Sequence, residues 1–160
     1  MTRLVVNQSC ACRCGRTTFL VNGTPALRVL CHCEICQSVY RQPYADVTVF
    51  WAGAIVLPED HSIQFRKHRW PPALRRGTCP TCGAPAVGFL RLAPFVQLAF
   101  VPSANFPDPA ALPAPGAHIF YHRRVADAPD SVPKFSGYWP SELAVTRMVL
   151  ANTLRNLGDA

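Results

Sequence analysis

Between clusters of polar and turn-forming positions, short apolar runs rich in β-branched and aromatic residues recur along this chain. Six segments carry the pattern, Thr17–Val21, Val47–Trp51, Ser62–Lys67, Pro85–Leu90, Phe95–Val101 and His118–Tyr121, and each predicts a strand. Turn formers separate them: Asn22-Gly23, Ala52-Gly53, Pro58-Glu59-Asp60 and Pro71-Pro72. The expected class is mainly β, made of short antiparallel strands. Between Pro102 and Pro133 seven prolines interrupt any regular ladder, which predicts a long ordered or semi-ordered loop packed through Phe106 and Phe120. The period then changes. Leu143, Leu150, Leu154 and Leu157 recur at helical spacing, with Ser141 placed to cap the start and Gly158 to end it. We expect a C-terminal α-helix over 141–158 with its leucine stripe laid on the β core rather than offered to a second chain.

The chain has 160 residues, 49% of them hydrophobic, which suits a single domain over 1–160 with a core of its own. The Leu4-Val5-Val6 run is too short for a signal-peptide core, and no stretch approaches a membrane span, so a cytoplasmic location is expected and no membrane partner. The formal charge is +7. Seven metal-bound thiolates would subtract seven charges and two zinc dications restore four, leaving +4, so part of the basic excess offsets thiolate centres. Fourteen of the sixteen basic residues are arginine, which suits carboxylate as well as phosphate recognition.

The eight cysteines carry the chemistry. Cys10, Cys12 and Cys14 read C-x-C-x-C, Cys31, Cys33 and Cys36 read C-x-C-x-x-C, and Cys79 and Cys82 read C-x-x-C. Thiols this close cannot reach disulfide geometry with their neighbours but converge readily on one ion, with zinc the default occupant. A disulfide scaffold belongs mainly to short secreted chains and is the competing account. The knuckle Cys79-Pro80-Thr81-Cys82-Gly83 supplies half of a tetrahedral site, Gly83 permitting a positive φ, and Cys12 with Cys14 is the best other half. Such a closed site contributes folding energy. Cys31, Cys33 and Cys36 have no obvious fourth ligand, as in catalytic zinc sites that keep a position for water or a thiol. The alternative is a second structural zinc completed by Cys10 or His32, although Cys10 reads better as a spectator.

In order and separation, Cys12-x-Cys14-Gly15, Cys31-x-Cys33-x-x-Cys36 and Cys79-x-x-Cys82-Gly83 resemble the glutathione-dependent formaldehyde-activating enzyme family, also called CENP-V/GFA. The likeness extends to Thr17–Val21, resembling the family's first strand, and to His118-Ile119-Phe120 and Pro133-Lys134-Phe135, so that about 10–138 are covered. It implies an Mss4-like zinc-containing β fold with two Zn2+ per chain: a structural ion on Cys12, Cys14, Cys79 and Cys82, and a second on Cys31, Cys33 and Cys36. It also implies glutathione as the thiol partner, formaldehyde as the carbonyl, S-hydroxymethylglutathione as the product, and the reaction class of a carbon–sulfur lyase. The chain departs from the family where Thr78 replaces the usual aromatic residue, in its extra Cys10, and in the C-terminal helix. No glutathione-pocket motif can be matched residue by residue.

A thiol held at Cys31, Cys33 and Cys36 would lose its proton and add to an aldehyde carbon, with His32 or Glu34 relaying the proton if either faces the site. The stretch Arg66, Lys67, His68, Arg69, Trp70, Arg75 and Arg76 carries the rival reading of a non-catalytic zinc module bound to nucleic acid. A module with two closed metal sites that binds another protein is the third.

Overall fold

A computed structural model describes residues 4–70 and 74–158. It is mainly β with two helices. A three-stranded sheet has the order β1-β2-β5, from β1 (Val6–Ala11), β2 (Thr18–Gly23) and β5 (Ile55–Val56). A seven-stranded sheet has the order β10-β3-β4-β9-β8-β7-β6, from β3 (Leu27–Cys31), β4 (Ala45–Trp51), β6 (Gln64–Lys67), β7 (Arg75–Thr78), β8 (Pro85–Ala93), β9 (Val96–Pro102) and β10 (Ala117–Ile119). The helices are α1 (Glu34–Tyr40) and α2 (Tyr138–Gly158).

Side chains alternate across the large sheet and feed two separate cores. In β4, Val47 and Val49 join Val29, Leu98, Cys36 and Val149 on the helical face, whereas Phe50 joins Phe19, Val21, Val87 and Val101 under the small sheet. The large sheet therefore lies between a sheet on one side and helices on the other.

All six predicted strands are present, with shifted ends. Four features differ from the sequence reading. First, β10 pairs with β3 in parallel, so the fold is not wholly antiparallel. Second, β1, β3, β5, β7 and α1 lie in segments assigned to no element. Third, the proline-rich span is ordered: short 3-10 turns at Ser103–Asn105, Pro109–Ala111 and Tyr121–Arg123 flank β10, which sits at the edge of the sheet. The prolines exclude long strands there but not a three-residue one. The Pro71-Pro72 break lies outside the described residues.

Fourth, α2 presents a different face from the one expected. Its leucines Leu143, Leu150, Leu154 and Leu157 are exposed, and Ala144 and Val149 are buried with Val145 and Met148 partly so. The helix comes close to the chain before β10: a Cβ at Gly116 would stand 3.2 Å from Met148 Sδ. The helix also begins at Tyr138, so Ser141 is inside its first turn and caps nothing. Instead its Oγ donates to Gly137 O at 2.7 Å and accepts from the Phe120 N–H at 2.8 Å, pinning α2 to the end of β10. Pro140, also in the first turn, has no helical N–H bond to lose there. No described helix is long and apolar enough to cross a membrane.

Candidate metal centres and an apolar cleft

The topology gathers seven cysteines into two groups whose sulfur atoms all lie within 4.8 Å of one another: Cys12, Cys14, Cys79 and Cys82 in one, Cys31, Cys33 and Cys36 in the other. Both groups could hold a metal ion. Cys10 is fully buried in β1, belongs to neither group, and is pushed up to about 12 by burial, which makes it an inert core residue.

The four-thiol group is built from two matching turns. After β1, Cys12 N–H donates to Thr17 O and Gly15 N–H to Cys12 O; after β7, Cys79 N–H donates to Ala84 O and Gly83 N–H to Cys79 O. Gly15 and Gly83 close these turns at φ +74° and +69°, a region where a side chain is strained. Each turn points two sulfurs inward. Cys12 Sγ lies 3.4 Å from Cys14 Sγ, and Cys14 Sγ 3.8 Å from Cys79 Sγ. A tetrahedron with Zn–S bonds of about 2.3 Å has edges of about 3.8 Å, so the donor set and its spacing fit zinc. Burial acts to raise Cys79, but hydrogen bonds from the Thr17 side chain and from the N–H groups of Cys82 and Thr81 hold it down to about 6. Cys12 is lowered too, whereas at Cys14 the Arg16 backbone hydrogen bond is outweighed by burial and by the Cys12, Cys82 and Cys79 thiols, which push it up to about 12.

The three-thiol group sits on the opposite, helical face of the large sheet. Cys31 ends β3, Cys33 is the N-cap of α1, and Cys36 lies in the first turn of that helix, its N–H donating to Cys33 Sγ at 3.4 Å. Cys33 is held far below the ordinary thiol value by hydrogen bonds from the Cys31 and Cys36 thiols, aided by the Cys36 N–H and the Arg76 charge. Cys31 is raised well above it by sharing a proton with its two neighbours and by burial. The three thiols share their protons as one coupled set, and their sulfurs lie close enough to hold a cation. Among the described residues no fourth His, Cys, Asp or Glu completes this group.

These three sulfurs line one part of a cleft of about 320 Å3 between α2 and the large sheet. Its charged lining among the described residues is Arg69, Arg76 and Glu142. Arg76 donates from Nη2 to Cys36 Sγ at 3.7 Å, and the Arg69 guanidinium lies over the Tyr138 ring at 5.5 Å. Burial raises the Glu142 carboxyl, with Arg69 opposing and the Cys33 thiolate reinforcing the shift. None of these residues was identified as part of the site from sequence. The only signal was the basic run, and it pointed outward: Arg66 and Arg76 are register partners in the β6–β7 hairpin, yet Arg76 turns into the cleft.

His32 and Glu34 do not line the cleft. The His32 ring is turned away among Tyr44, Tyr121 and His118, with Nε2 2.8 Å from His118 Nδ1, and His118 Nε2 meets Asp130 at 3.0 Å. Burial first, then the His118 and Arg124 charges, lower His32 to about 4. Glu34 is exposed and paired with Arg123 at 3.1 Å. The two late motifs also meet: His118 N–H donates to Pro133 O and Phe135 N–H to His118 O.

A family model described as glutathione-dependent formaldehyde-activating enzyme matches residues 7–123. That span contains all seven clustered cysteines and most of the large sheet. No curated protein matches the chain.

Proposed function

Because the chain belongs to the glutathione-dependent formaldehyde-activating enzyme family, we propose that it joins a small thiol to an aldehyde at Cys31, Cys33 and Cys36, and splits the same adduct in reverse. The observation that carries the reading is a three-sulfur group, completed by no fourth His, Cys, Asp or Glu among the described residues, that opens on a cleft. Cys31, Cys33 and Cys36 would hold a Zn2+, and Cys12, Cys14, Cys79 and Cys82 a second, structural one. Zinc at the three-sulfur site supplies Lewis acidity that favours the thiolate form of an incoming thiol.

The remaining work falls to the chain. Glutathione brings two carboxylates and one ammonium, and the cleft offers two guanidiniums, Arg69 and Arg76, and one carboxylate, Glu142. In the forward step the thiol sulfur forms a bond to the aldehyde carbon, the C=O π bond opens, and the oxygen takes up a proton. That proton is the one the thiol gives up, so the step balances without a further acid. His32 holds the loop between its two ligand neighbours through His118 and Asp130 and takes no part in proton transfer. With formaldehyde the product is S-hydroxymethylglutathione, and the reverse reaction is a carbon–sulfur lyase step. Free thiols in all eight cysteines suit a reducing cytoplasm.

The test is a calorimetric titration of zinc-loaded protein with glutathione, beside the same titration of Cys36→Ser. Binding by the parent and none by the variant is the expected result. Absence of heat from the parent, or equal binding by both, overturns the reading.

A further inference from the structure

The cleft extends well beyond the sulfurs. Along the helical face of the sheet, β4 begins at Ala45, the register partner of Cys31, and ends at Trp51, the register partner of Leu98. Six strand steps at about 3.3 Å put these ends about 20 Å apart. Trp51 of β4, Phe100 of β9 and Leu90 and Leu92 of β8 form an apolar floor with Leu150 of α2 above it, backed by the buried Val47, Leu98 and Val149. The charged lining is confined to Arg69, Arg76 and Glu142, with Arg76 at the thiol end. Formaldehyde has two heavy atoms, and the ionic groups of glutathione match only Arg69, Arg76 and Glu142, so neither covers the apolar floor. An apolar floor of this length has no use for a one-carbon electrophile.

We propose that the carbonyl substrate carries an apolar group, an alkyl chain of several carbons or an aromatic ring, that lies on this floor while its CHO carbon meets the thiol at Cys31, Cys33 and Cys36. The inference rests on the thiol–aldehyde reading and names the class of aldehyde it takes. The reaction balances without a co-reactant: R–CHO and R′–SH give R′S–CH(OH)R, the S–C bond forming as the C=O π bond opens and the thiol proton ending on oxygen. Recognition divides accordingly, the ionic groups of the thiol falling to the charged end and the alkyl or aryl group to the floor.

Stable thioethers test this without catalysis. In zinc-loaded protein, affinity is measured for S-methyl-, S-butyl- and S-hexylglutathione, and the glutathione-dependent turnover of hexanal is compared with that of formaldehyde. Burial of each methylene predicts a gain of about fourfold in affinity until the chain outgrows the floor, and hexanal is the better substrate by kcat/KM. The double variant Leu92→Asn, Leu150→Asn changes two cleft residues that are 57% and 56% exposed, so the fold tolerates it. It should flatten the chain-length series and leave S-methylglutathione affinity unchanged. A flat series in the parent, with S-methylglutathione still bound, overturns the apolar-aldehyde inference and spares the glutathione reading. If no glutathione derivative binds, S-methylglutathione included, the glutathione reading falls and takes the apolar-aldehyde inference with it. A flat series together with a sedimenting dimer that Leu150→Asn dissociates assigns the cleft to a second copy and overturns the inference.

Discussion

The two cysteine groups use the same donor atom and sit on opposite faces of one sheet, yet their surroundings differ in every respect that matters for reactivity. Cys12, Cys14, Cys79 and Cys82 complete a four-sulfur set between two glycine-closed turns, and none of them lines the cleft. Cys31, Cys33 and Cys36 provide three sulfurs at the start of a helix, with Arg76 beside them and about 320 Å3 of space in front. Thiolate chemistry alone does not make a reactive centre. What distinguishes the second group is three sulfurs, joined by no fourth His, Cys, Asp or Glu among the described residues, that face a cleft.

The comparison breaks first if the four-sulfur group can be dismantled cheaply. Cys79→Ser removes one of the four sulfurs that would hold the proposed structural zinc between the turns after β1 and β7, and structural zinc sites in small domains are worth about 10–16 kcal/mol to folding. We expect a loss of at least about 3 kcal/mol, read as a melting temperature lower by about 10 °C or more. Cys33→Ser should do the opposite: it leaves melting within about 4 °C of the parent and lowers thiol-dependent turnover at least 100-fold, since even outer-shell changes at metal sites cost about 10–100-fold. Arg76→Met sharpens the picture by removing one charge-assisted hydrogen bond to sulfur, for an expected tenfold loss of thiol affinity, about 1.5 kcal/mol, without unfolding.

Acid should act through the helical face as well. His32 is lowered from 6.5 to about 4 in the folded chain, so between those values the unfolded chain binds the proton more readily. Folding stability therefore falls as pH drops from about 6.5 to 4, with uptake of up to one proton on unfolding at this site. His32→Gln should make the measured slope shallower over that window, and an unchanged slope would contradict the assignment. The smallest effect belongs to Leu154→Lys and Leu157→Lys, which replace exposed residues and should change stability by less than about 0.5 kcal/mol each.

The two groups were also unequally legible in the sequence. Cysteines two or three residues apart share one turn, so the two pairs and the triplet were legible as units and Gly83 marked its turn, whereas the meeting of the two pairs across the chain is a product of tertiary packing. Strands such as Val47–Trp51 announced themselves through unbroken β-branched runs. The helix α1 did not, because its N-cap is Cys33 rather than a serine, threonine or aspartate, and seven residues carry no readable period. The outward leucines of α2 misled because periodicity reports a stripe without saying which side the sheet occupies. Arg69, Arg76 and Glu142 come from three separate segments and meet only through tertiary packing, so nothing local identified them as cleft residues.

The most direct test of the division between a closed and an open group is absorption spectroscopy of the protein with Co2+ in place of zinc. Titration with glutathione should alter the visible and thiolate-to-metal bands of one ion per chain, and Cys33→Ser should abolish that change while the other ion's bands persist. A spectrum that glutathione leaves unchanged, or that changes for both ions together, would contradict the account.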